Sequence, residues 1–127
     1  MLECGDTFLA GDTDNEDFHL WIVITPPIEG EVVTVCVTTK RKRSETLVVL
    51  QAGDHPFVVH DSVVAYSYST IRLVDDIEAA FLTGAAKKRE PVTSANLQRV
   101  QAGLLDSERT PNGVRRYYKD VMGITRS

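Results

Sequence analysis

The side chains here that can move a proton or hold an anion are few enough to take one by one. The histidines are His19, His55 and His60. Two of them lie in Gln51–Tyr66, QAGDHPFVVHDSVVAY, among Asp54, Asp61 and Ser62. His19 opens the apolar run HLWIVIT, and Thr34 and Thr38 lie in EVVTVCVTT. Lys40-Arg41-Lys42-Arg43 follows directly. An imidazole works as acid or base near neutral pH. A threonine hydroxyl can donate to a phosphate oxygen, and a cluster of cations attracts a polyanion. Together these suit RNA cleavage by attack of the 2′-hydroxyl, which needs a base, an acid and a cationic clamp but no metal.

Other chemistries fit less well. His60, Asp61 and Ser62 are consecutive, and neighbours on an extended strand face opposite sides, so they cannot converge as a triad. No GxSxG elbow is present. In a connection between strands, Asp and Ser ordinarily bond their own backbone. Each histidine has an acid nearby (Asp17, Asp54 and Asp61), but the spacing matches no zinc motif. The loop Gly11–Asp17, GDTDNED, lacks the central Gly and closing Glu of an EF-hand loop, which predicts a mobile acidic loop rather than a calcium site. There is no P-loop and no GxGxxG. The expectation is therefore no metal and no cofactor.

The elements that must position these groups are mostly strands. Thr7–Ala10, His19–Thr25, Glu31–Thr39, Thr46–Leu50, Ser62–Tyr66 and Thr70–Leu73 are short β-branched runs bounded by Gly, Pro and polar residues. Pro26-Pro27 stops the second run and Gly30 completes a turn, which predicts an antiparallel hairpin. On its second arm Thr34, Cys36 and Thr38 share one face, and Val33, Val35 and Val37 the other. No helical period appears before Val74. Asp75–Leu82 then reads as a short helix with acids in its first turn, and Ala85–Pro91 as a basic linker. Thr93 or Ser94 caps a helix to about Asp106, whose Leu97, Val100, Leu104 and Leu105 form one stripe. A last helix spans about Val114–Met122.

The chain has 127 residues, 43% hydrophobic and 25% charged, as expected of one globular domain. No apolar run reaches the ~20 residues of a membrane helix, and the start is not a signal peptide, so no membrane partner and a cytoplasmic protein are expected. Cys4 and Cys36 are expected to be reduced thiols. The net charge of −4 is unevenly spread: residues 1–86 carry 5 basic against 14 acidic residues, a net −9, and residues 87–127 carry 9 against 4, a net +5. The reading is a mainly β fold, a small antiparallel barrel with its short helix at 1–86. A helical extension at 87–127 belongs to the same domain or serves as a dimerisation or partner arm.

The sequence resembles the PemK/MazF family of toxin endoribonucleases over about residues 5–82. Gly5-Asp6-Thr7-Phe8 resembles the family's opening strand. Leu20–Thr25 resembles its RP-V-V-V-like strand, Val33–Thr39 the strand ending in a Thr or Ser pair, and Asp61-Ser62-Val63-Val64 with Thr70–Leu73 its late segment. The resemblance implies an SH3-like barrel, a metal-independent cut in single-stranded RNA, an antitoxin protein partner and a homodimer. Thr38 matches the family's catalytic threonine, and His19 stands at or beside the position of its catalytic arginine. Here the chain departs from the family, because no Arg precedes the central strand and an imidazole clamps phosphate less well than a guanidinium. The implied site is His19 and Thr38 as catalytic residues, with Lys40, Arg41, Lys42 and Arg43 holding substrate. The alternative is a non-catalytic SH3-like module, phage- or plasmid-encoded, that binds protein or nucleic acid.

Overall fold

In the computed structural model, residues 2–12 and 15–124 are described. Of the stretch Gly11–Asp17, expected as a mobile acidic loop, only residues 13–14 lie outside them; Gly11 and Asp12 end one strand and residues 15–17 begin the next, paired Asp12↔Asn15. The β-branched runs pair into one antiparallel sheet of six strands: β1 (Thr7–Asp12), β2 (Asn15–Val23), β3 (Glu31–Thr39), β4 (Val49–Leu50), β5 (Ser62–Leu73) and β6 (Ala86–Arg89). Their order is β4-β5-β3-β2-β1-β6. Helix α1 (Val74–Thr83) touches both β5 and β6, which three strands separate, so the sheet curls into a half-barrel. A register shift against β5, between Thr34 and Cys36, is the kind of bulge that bends a strand. No described helix is long and apolar enough to cross a membrane.

The period-2 pattern sorts the faces as expected. Leu20, Ile22, Val33, Val35, Val37, Val64 and Tyr66 turn to one side and form the main core. Two further helices, α2 (Ser94–Asp106) and α3 (Asn112–Val121), cover it. Thr93 caps α2, its hydroxyl accepting from the Asn96 N–H at 3.2 Å. The α2 stripe is buried: Val100 and Leu104 are inaccessible and Leu97 packs against them. Such a side chain contributes about 1.5–3 kcal/mol, which a lone short helix lacks. Gly103 lies under Tyr66, whose hydroxyl donates to the Val100 carbonyl at 2.8 Å. A Cβ at Gly103 would collide with the Tyr66 ring, so the glycine's helical cost accompanies close packing. On the opposite face Phe8, Val23, Val32, Val74, Ile77 and Ala86 form a smaller core under α1.

Three boundaries differ from the sequence reading. The basic linker contains a strand: β6 pairs with β1, from Thr7↔Arg89 to Ala10↔Ala86. Its sequence, AKKR, carries no β pattern; the open edge of β1 recruits it through backbone groups. Ser62–Tyr66 and Thr70–Leu73 are one strand, continuous across the bulge. Of Thr46–Leu50 only Val49–Leu50 pairs with β5, while Thr46 and Leu47 are exposed.

Candidate active site

The hairpin of β2 and β3 sets the site. Its register pairs Leu20 with Val37 and Trp21 with Cys36, so the next step brings His19 level with Thr38. Leu20 and Val37 point into the core, which turns His19 and Thr38 to the other face. Both line one cavity of about 450 Å³, and Arg41 lines it with them. Lys40, Lys42 and Arg43 are exposed and stand outside its wall. The basic tip is a defined turn: the Arg41 N–H donates to Ser44 Oγ at 2.7 Å and the Ser44 N–H to the Arg41 carbonyl at 3.1 Å. The Lys40 N–H ties its base to the Asp61 carbonyl at 2.9 Å.

The polar stretch Gln51–Tyr66 does structural work, as expected of Asp and Ser in a connection, and His55 shares it. His55 is 2% exposed. Its Nδ1 accepts from the Phe57 N–H at 3.0 Å, which assigns the proton to Nε2. Nε2 donates to the Glu90 carbonyl at 2.6 Å, with Thr7 Oγ1 3.1 Å away. Thr7 also donates to the Glu90 carbonyl, at 2.7 Å. Asp54 caps the turn, its Oδ2 accepting from the Gln51 N–H at 2.8 Å. Ser62 Oγ donates to the His60 carbonyl at 3.0 Å, so its hydroxyl serves the backbone, as such residues usually do. His60 is exposed and lines the cavity with its loop.

That loop and the first half of β2 supply residues which the sequence reading missed. Phe18, Phe57 and Val59, at 50%, 37% and 67% exposure, all line the cavity. Phe57 is placed by the His55 turn and by Arg89, whose Cζ stands 6.0 Å from the ring centre. The only signal in the sequence was apolar residues in a connection that no strand pattern absorbs. Cys36, two positions from Thr38, is no nucleophile: burial pushes its thiol up to about 12, against the opposing pull of Arg72. Among the described residues no group of three or more His, Cys, Asp or Glu is placed to hold a metal. The site offers an imidazole, a hydroxyl, a guanidinium and exposed aromatic faces.

No protein-family model and no curated protein matches the sequence. Solved structures do match. A chain of the MazE–MazF complex (form II) from Deinococcus radiodurans is 14% identical, with a TM-score of 0.55 over 83% of this chain and 93% of that one. A chain from an endoribonuclease in complex with its cognate antitoxin, from a mycobacterial species, is 16% identical, with a TM-score of 0.55 over 87% and 98%.

Proposed function

We propose that this chain, whose fold is that of the MazF/PemK-type toxins, is a metal-independent endoribonuclease acting on single-stranded RNA in the cytoplasm. The observation that carries the reading is the convergence of His19, Thr38 and Arg41 on one cavity. His19 takes the proton from a ribose 2′-hydroxyl. The 2′-oxygen attacks the adjacent phosphorus, the bond to the 5′-oxygen breaks, and the leaving oxygen takes a proton from water, giving a 2′,3′-cyclic phosphate. Thr38 donates to a non-bridging phosphate oxygen where charge gathers. Arg41 holds the phosphate, supplying the guanidinium that the start of β2 lacks, and Lys40, Lys42 and Arg43 attract the flanking backbone. The structures of similar fold, solved in toxin–antitoxin complexes, support an antitoxin protein as partner. A homodimer is the working assembly.

The test is cleavage of mixed-sequence RNA by purified, partner-free protein, with and without EDTA, and in His19→Ala and Thr38→Ala. Activity abolished by EDTA rejects the mechanism, and full activity in both variants rejects the site. Two features favour a second reading, a binding module on the same barrel: the cavity displays exposed apolar side chains, and no arginine stands at the head of β2. Folded protein that binds RNA without cutting it would select that reading.

A further inference from the structure

A second cavity, of about 410 Å³, lies between α1, β1 and the end of β5, and shares no lining residue with the first. Its surface is mixed, polar and apolar in similar shares, with Phe8, Ala10, Ile71, Ile77 and Ala80 supplying the apolar part. Arg72 is the cation in its lining and Asp76 the acid. The guanidinium is held in place from two sides. Its Nε donates to Thr34 Oγ1 at 3.1 Å, and its Cζ stands 4.4 Å from the centre of the Trp21 ring. Among the described residues the ion pairs are Lys88–Asp6 and Arg89–Glu90, so Arg72 has no carboxylate partner there. Its terminal nitrogens donate no hydrogen bond to a described residue.

A half-buried charge with no ion-pair partner among the described residues is costly, and this one is already oriented. Two terminal N–H groups of a fixed guanidinium match the two oxygens of a carboxylate. The apolar part of the wall, Phe8, Ile71, Ile77 and Ala80, adds a surface on which a short apolar body can pack. Asp76 adds a limit: it repels anions, so the lining tolerates only the one negative charge that Arg72 can neutralise. We infer that this cavity binds a monocarboxylate on a short apolar body, its carboxylate paired with Arg72. Trp21 lies two residues from His19 on the same face of β2, so the site adjoins the first cavity but does not depend on any reaction there.

Trp21 is the chain's only tryptophan, which makes its emission a direct reporter. The full-length protein would be titrated with hexanoate, hexanol and hexylamine. Hexanoate is expected to give a saturable change, with the neutral and cationic probes about tenfold weaker or worse. By equilibrium dialysis, Arg72→Gln is expected to weaken hexanoate about tenfold or more. Ala80→Leu fills the cavity with Arg72 left in place and is expected to abolish binding. N-acetyl-Ala-Leu with a free C-terminus would be compared with its amide and with hexanoate. Tighter binding of the free peptide assigns the carboxylate to a protein C-terminus, and tighter binding of hexanoate to a free acid. Equal affinity for the three hexyl probes, no binding of hexanoate, or unchanged affinity in Arg72→Gln would overturn the inference. None of these outcomes bears on RNA cleavage, so this site and the proposed nuclease fail separately.

Discussion

His19 and His55 are the same side chain in opposite circumstances. His19 stands at the mouth of a cavity, where a substrate could reach its ring. His55 is sealed at 2% exposure, and both ring nitrogens are engaged by the chain itself. The region richer in polar residues is thus the structural one, and the sparser one keeps its groups available. What separates them is the number of partners the fold supplies, because a histidine with both nitrogens bonded has no lone pair left for a substrate. The two are nevertheless linked, since the turn that His55 locks carries Phe57 to the wall of the His19 cavity.

Four measurements can break or sharpen this contrast. The largest expected effect is on chemistry: His19→Ala and Thr38→Ala should each lower kcat/KM on single-stranded RNA by about 100-fold or more. Stability should stay within about 0.5 kcal/mol, as for surface changes. Steady-state kinetics alongside urea denaturation checks both halves, and a matching loss of stability would erase the distinction. His55→Ala should do the reverse. It leaves the Phe57 N–H and Glu90 carbonyl without their partner and should cost about 2–4 kcal/mol of stability, read as a lower urea midpoint, while the folded fraction keeps cutting. A smaller effect is expected at Arg41→Ala, with KM up about tenfold, kcat little changed, and the slope of log affinity against log salt reduced by about one. The smallest is no effect: EDTA should leave the cleavage rate unaltered, measured on the same RNA.

How far the sequence could be read depended on whether the signal was local. The β2–β3 hairpin was legible because alternation in EVVTVCVTT and the break at Pro26-Pro27 are properties of short windows. That pairing also brought His19 and Thr38 together, since register fixes which side chains stand level. Thr25 adds a detail that alternation cannot reveal: beyond the end of β2 its hydroxyl accepts from the Val33 N–H at 3.0 Å. β6 was not legible, for AKKR becomes a strand only because β1 offers an open edge. The burial of His55 was not legible, because it depends on Thr7 and Glu90, 48 and 35 residues away in the chain. Phe18 and Phe57 hide for a related reason, since local sequence does not say which aromatic the tertiary fold leaves uncovered.

The position of β6 also bears on how the chain is made. β1 leaves the ribosome before the other described strands of this sheet, yet one of its two edges is covered only by residues 86–89. At ~5–20 residues per second, that edge waits roughly 4–15 s for its partner. For that interval the nascent sheet carries a row of unpaired N–H and C=O groups, open to pairing with a neighbouring chain. Glu90, which fastens His55, arrives one residue after β6 ends. A chain stalled or cleaved before Ala86 therefore has both an unclosed sheet edge and an unfastened cavity wall, and is the form most exposed to aggregation and proteolysis.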